Sequence, residues 1–168
     1  MQYRILSSLV LATLLSLPLF AQSERGTTEV TVNSKTVRID YGRPSLNGRD
    51  VLSMASVGTV WRLGADQATE IETTGDLMVD GKTLQTGKYS LWVKKVGADD
   101  WLLSFHPTTG IWGAPALKDG YVATLPLSVE QSAESIEKLT IQLVENKNDA
   151  EINISWGSSR LKATFGVR

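Results

Sequence analysis

The chain has 168 residues, 17 basic against 18 acidic side chains, one histidine and no cysteine, and 42% of it is hydrophobic. So even a charge balance leaves no electrostatic footprint for DNA, RNA or an anionic membrane, and nucleic acid is excluded as a partner. With no thiol and only His106, disulfides, thiolate nucleophiles, zinc knuckles and multi-imidazole metal sites cannot form within one chain, and neither cofactor nor metal is expected.

Residues 1–21 have the grammar of a secretory signal peptide: Arg4 supplies the positive n-region, Ile5 to Phe20 the apolar stretch, and Ala21 a small residue suited to cleavage. A spanning helix needs ~20 apolar residues, more than this stretch offers, and Pro18 interrupts its end. Gln22 and Ser23 follow, so there is no cysteine at that point to carry acyl chains. No later segment is apolar enough to span a bilayer. The expected product is a single extracytoplasmic domain, residues 22–168, periplasmic or secreted.

From Glu29 onward apolar and polar residues alternate with period two in runs separated by Gly, Asp, Asn and Pro, the pattern of half-buried antiparallel strands. Val30 and Val32 open the series, and Val37, Ile39 and Tyr41 alternate with Arg38 and Asp40. The only predicted helix is short, Arg49 to Ser56, with Val51, Leu52, Met54 and Ala55 on one side. Trp61 and Leu63 flank Arg62, and Thr69, Ile71 and Thr73 continue the alternation. Leu77 and Val79 lead into Asp80-Gly81, whose tolerance of positive φ predicts a two-residue hairpin. Tyr89, Leu91 and Val93 form one strand, and Trp101, Leu103 and Phe105 its hairpin partner across the Gly97–Asp100 turn.

Later runs centre on Leu125 to Val129, Leu139 to Leu143, Ile152 to Trp156 and Leu161 to Val167, with turns at Asn146–Asp149 and Gly157–Ser159 joining the last three. About ten short strands at this spacing predict an all-β, antiparallel sandwich of jelly-roll type or a partly open barrel, because a single flat sheet of that width leaves one face wet.

No nucleophile elbow occurs, and the Gly81–Lys88 stretch fails as a phosphate loop because its glycine spacing is one too long and Tyr89 follows the lysine. Special residues concentrate in Tyr41-Gly42-Arg43-Pro44, in Gly48-Arg49 and in Trp61-Arg62-Leu63-Gly64-Ala65-Asp66-Gln67-Ala68-Thr69. With Gly81-Lys82 and Gly87 to Leu91, these stretches resemble the bacterial family known as domain of unknown function 2911, over roughly Glu29 to Val167. The family pattern is tyrosine–x–arginine–proline and tryptophan–arginine–x–glycine–alanine–asparagine–glutamate–alanine–threonine, and here Asp66 and Gln67 replace the asparagine and glutamate. Gln67 cannot act as a base in place of that glutamate, which weighs against catalysis. The resemblance implies an exported β-rich domain and no activity or cofactor.

Candidate ligand-binding residues are Arg43, Arg62, Asp66, Trp92, His106 and Trp112. The two arginines offer planar donor forks to a carboxylate, phosphate or sugar, against the plainer role of surface ion pairing. Asp66 serves either a ligand or an Asx-turn. His106 sits at a strand end near a sheet rim, as a candidate acid or base or as the maker of one structural hydrogen bond. Trp112, in a loop between Gly110 and Gly113, is a stacking platform or a lid. Trp61, Trp101 and Trp156 fall at core-facing positions, whereas Trp92 is expected to face a groove. Three functions are compatible with these residues: a non-catalytic module binding a small polar or anionic ligand or a glycan, an envelope protein-interaction or structural module, and a cofactor-free hydrolase or isomerase using His106.

Overall fold

The structure, a computed structural model, describes residues 22–168. The leader expected at 1–21 lies outside the described residues. The strands are β1 (Arg25–Val32), β2 (Lys35–Gly42), β3 (Val60–Arg62), β4 (Thr69–Thr73), β5 (Leu77–Val79), β6 (Lys82–Leu84), β7 (Gly87–Lys95), β8 (Trp101–His106), β9 (Ala123–Asn146) and β10 (Asp149–Val167). They form one antiparallel sheet in the order β1-β2-β4-β7-β8-β9-β10-β5-β6, with β3 pairing β7 beyond the end of β4. The sheet is not closed into a barrel.

Turn chemistry fixes the local register. Asp80 and Gly81 lie at φ 46° and 78°, and Val79 pairs Lys82, which is the predicted two-residue hairpin. The β7–β8 hairpin also forms as expected, with Ser90 opposite His106 and Lys95 opposite Trp101. Asn33 and Ser34 make a second two-residue turn at positive φ between β1 and β2. The Asn33 side-chain amide donates to the carbonyls of Asn148 and Val167, tying that turn to the β10 ends.

Curling of the sheet creates the core. Residues Ala123–Leu127 of β9 pair with β8, while the rest of the strand runs on to pair with β10, so β9 passes from one part of the sheet to the other. The far part of β9 comes back over β1 and β2: Thr28 Oγ1 accepts from the Leu143 N–H at 3.0 Å. Apolar side chains from both parts, among them Ile39, Ile71, Leu103, Ile141, Ile152 and Phe165, share one buried cluster. Burial of this kind, at roughly 25 cal/mol per Å² of apolar surface, is the main driving force available to a chain without disulfides.

Three expectations are corrected. The last four runs are not separate short strands; they merge into two, of 24 and 19 residues, because β9 stays extended through the mostly exposed stretch 130–138, where Glu130, Gln131 and Ile136 still pair with β10 across its register shifts. Gly157–Ser159 is not a turn joining strands but a pair of register shifts inside β10. No helix forms over 49–56. Its hydrogen bonds are isolated turns, Ala55 N–H to Leu52 carbonyl and Ser53 N–H to Asp50 Oδ1, and glycines at positive φ bound it at 48 and 58. Eight residues are too few to nucleate a helix without a packed face.

Candidate functional site

The two motif stretches meet as a seam. Gly42, at the end of β2, lies against the Ala65 backbone so closely that any Cβ there would overlap the Ala65 carbonyl oxygen. Thr69 Oγ1 donates to the Leu63 carbonyl across the same junction. On the other side, Tyr41 Oη donates to the Ile141 carbonyl at 3.2 Å and accepts from the Ile141 N–H at 3.0 Å, while Pro44 accepts from the Leu139 N–H at 3.0 Å. Arg43 completes the clamp: Nε donates to the Leu139 carbonyl at 3.3 Å and Nη1 to Glu24 at 3.0 Å. Arg43 is thus a strut between β2 and β9, and its fork is already engaged. Lys138 and Arg43 together hold the Glu24 carboxyl below the usual glutamate range, the Lys138 contribution being the larger.

Arg62, Trp92 and His106 do share a sheet face, as their parity implied. Arg62 pairs Trp92, Trp92 pairs Ser104, and His106 pairs Ser90, all on the face opposite Leu91 and Leu103. They do not line a groove. The 107–122 loop is stitched across them by the Ala68 N–H to the Ile111 carbonyl, the Gly113 N–H to the Asp66 carbonyl and the Val122 N–H to the Phe105 carbonyl. Trp92, expected to face a groove, is fully buried under this loop and donates to Ser90 Oγ at 2.9 Å. Parity gave the correct face; the cover over it comes from a loop with no periodic signal.

His106 is held by backbone groups. Its Nδ1 accepts from the Thr108 N–H and its Nε2 contacts the Asp119 carbonyl, both at 3.0 Å. An N–H can only donate and a carbonyl only accept, which assigns the proton to Nε2. Tyr121 meets the imidazole edge-on at 5.4 Å, its own phenol pKa raised by burial and then by the Asp119 charge. Asp66 adopts φ 62°, and its Oδ2 accepts from the Ser23 N–H at 2.6 Å. Trp112 bridges to Gln67 and remains 49% exposed, while Arg62 is exposed and forms no ion pair among the described residues.

The other face of the sheet holds the more unusual site. Trp61, Trp101 and Trp156 line a cavity of about 50 Å³ whose wall is otherwise mostly aliphatic, Leu139, Ile154 and Leu161 included, with Arg62 and Ser159 as its polar members. Leu52 and Ala55 of the 49–57 segment close it from above. The Nε1–H groups of Trp61 and Trp156 are buried and have no acceptor among the described residues. A buried indole N–H ordinarily finds a partner, and leaving one without costs about 1–3 kcal/mol. Period-two parity marked these three tryptophans as core, which their cluster supports, but it carried no sign of the missing acceptors. The only sequence signal was the count of five tryptophans in a chain whose inward positions are nearly all aliphatic.

Among the described residues no three His, Asp or Glu side chains gather as metal ligands would, and no helix is long and apolar enough to cross a membrane. No curated protein and no solved structure matches the chain. The family model described as protein of unknown function (DUF2911) matches residues 23–165, a span that takes in the Tyr41–Pro44 and Trp61–Thr69 seam, and the chain therefore belongs to the DUF2911 family.

Proposed function

We propose that this is a non-catalytic binding module whose small ligand brings a flat apolar group and a hydrogen-bond acceptor into the tryptophan cleft. The observation that carries the proposal is the pair of buried, unpartnered indole N–H groups of Trp61 and Trp156 beside an aromatic-lined cavity. Buried donors are ordinarily paired, and two unpaired ones on neighbouring tryptophans support a ligand that supplies the acceptor. Export from the cytoplasm, on the strength of the leader at 1–21, and a jelly-roll-like sandwich as the name for the curled open sheet belong to the same proposal.

This reading centres on the tryptophans rather than on the arginines, although Arg62 also lines the cleft. Arg43 is spent on Leu139 and Glu24, and the space between Arg62, Trp92 and His106 is filled by the 107–122 loop, so an anionic ligand has no pair of free forks to grip. Both His106 nitrogens are engaged with backbone, and among the described residues no carboxylate hydrogen-bonds to the ring, which weighs against the hydrolase reading. The interaction-module reading keeps one specific support, the exposed Trp112, whose neighbour Gly113 abuts the exposed Arg62.

The test is an NMR titration of protein labelled with ¹⁵N at tryptophan, using benzyl alcohol, methyl glucoside, acetate and phosphate as probes. Benzyl alcohol should move the indole N–H resonances of Trp61 and Trp156, assigned through the Trp61→Phe and Trp156→Phe variants. If no probe moves either resonance, the proposal fails.

A further inference from the structure

Next to the tryptophan cleft lies a second, polar hollow of about 250 Å³ walled by Asp50, Lys95, Asp99, Gln131 and Ser158. The two spaces share Leu52, Trp101 and Ser159 as a common partition. Gln131 and the two serines form a hydrogen-bonded row, Gln131 Nε2 to Ser159 Oγ at 3.3 Å and Ser158 Oγ to Gln131 Oε1 at 3.2 Å. Lys95 holds its ammonium 5.6 Å from the Trp101 ring centroid. Two carboxylates against one ammonium disfavour an anion. Carboxylates that accept, together with an amide and hydroxyls that both donate and accept, match a neutral group rich in hydroxyls.

The closed cleft is too small for a six-membered ring, since about 50 Å³ holds only a few water-sized spheres. What separates it from the hollow is a poorly tethered segment. Gly48 and Gly58 bound the segment at φ 73° and 87°, with open space where a Cβ would stand. The chain is fixed before Gly48 by Leu46 N–H to the Glu137 carbonyl and at Gly58 by its own N–H to the Lys95 carbonyl. Between them the backbone N–H bonds of Ser53 and Ala55 stay inside the segment. Its outer side leaves Met54 56% and Val57 62% exposed, so Val51, Leu52 and Ala55 provide its apolar seat.

We infer that cleft and hollow are two halves of one site for a glycoside with an apolar aglycone, and that the segment between Gly48 and Gly58 is its lid. The inference rests on the proposed tryptophan-cleft site and names the class of ligand it takes. When the lid lifts Leu52, the partition between the two spaces opens. The aglycone ring lies among the three indoles, an oxygen at its junction with the sugar accepts from the indole N–H groups, and the sugar hydroxyls meet Asp99, Asp50 and Gln131. Stacking of an apolar ring face on tryptophan and hydrogen bonding of the hydroxyls at the rim divide the ligand as the two spaces are divided.

The experiment titrates phenyl β-glycosides of glucose, galactose and N-acetylglucosamine, with benzyl alcohol alongside, into the labelled protein and its variants. At least one glycoside should shift the Trp61 and Trp156 indole resonances and bind more tightly than benzyl alcohol. Asp99→Ala and Gln131→Ala, both at exposed positions, should each weaken that glycoside about five-fold, the size of one hydrogen bond, and leave benzyl alcohol unchanged. Leu52→Ala should speed association of both. Glycosides that bind no better than benzyl alcohol, or that ignore the Asp99 and Gln131 substitutions, overturn the two-part site while the cleft reading survives. Indoles unmoved by every compound overturn the cleft itself and this inference with it. Association rates unchanged by Leu52→Ala overturn the lid.

Discussion

Tyr41 and Ile141 are bound to each other twice: the phenol oxygen accepts from the Ile141 N–H and donates to the Ile141 carbonyl, in the interior, across 100 residues of chain. A single hydroxyl satisfies both backbone groups of one β9 residue at the point where the sheet folds over itself. Tyr41→Phe keeps the ring and orphans two buried groups, so it should destabilise the fold by about 2 kcal/mol in urea unfolding with m unchanged. A loss under about 0.5 kcal/mol would mean that water or a shifted strand satisfies them instead.

Gly42 meets the Ala65 backbone where no side chain fits. Gly42→Ala forces two backbone segments apart, and the expected cost is about 3 kcal/mol or more, since neither neighbour is a flexible tip. Thermal unfolding should show a large drop in Tm. Gly81→Ala is the control: it meets nothing within 4 Å and pays only for its φ of 78°.

His106→Phe should loosen the 107–122 loop without dissolving the core. Thr108 N–H and the Asp119 carbonyl lose their partner, at a cost of about 1–3 kcal/mol. Hydrogen exchange should quicken from Thr108 to Val122 while Leu91 and Leu103 amides stay protected. Equal loss of protection in β7 and β8 would show instead that the loop and the sheet unfold as one unit.

Glu24 links acid sensitivity to the β2–β9 clamp. Its folded pKa is lowered, first by Lys138 and then by Arg43, so the unfolded chain takes up the proton at higher pH than the folded one. The contribution of the pair is present above the unfolded pKa and is lost as pH falls through the folded value. Carbon-detected NMR titration of the Glu24 carboxyl should give a midpoint below that of an ordinary glutamate. Lys138→Ala should raise that midpoint, and an unmoved midpoint would remove the ion pair from the account.

Arg62→Ala should leave unfolding free energy within about 0.5 kcal/mol of the parent, as expected of an exposed side chain without an ion pair. Although Arg62 is among the residues lining the cleft, its Cβ and Cδ lie by Gly113 of the 107–122 loop, so the indole resonances of Trp61 and Trp156 should move little. A large shift of either resonance would connect the two faces.

Legibility of the fold followed periodicity. Val37, Ile39, Leu91, Leu103 and Ile152 are buried where alternation put them, and Asp80-Gly81 turns where its backbone freedom allows. These properties are local, since a side chain two residues along a strand points the same way and a turn needs only its own φ values. Family membership was legible too, from motif residues that prove to be a backbone seam. The candidate site was much less legible. Arg43, Arg62, Asp66, Trp92, His106 and Trp112 were singled out as chemically capable groups, but capability says nothing of what packs against them.

The sequence by itself determined that the chain is an all-β antiparallel protein, which face of each strand is apolar, and to which family it belongs. Only the tertiary structure decided that β9 and β10 run on as single long strands, that a loop without periodicity buries Trp92, and that two buried indole N–H groups find no acceptor among the described residues. The physical reason is that alternation encodes direction along one strand, whereas closure, cover and hydrogen-bond satisfaction depend on contacts between residues far apart in the chain.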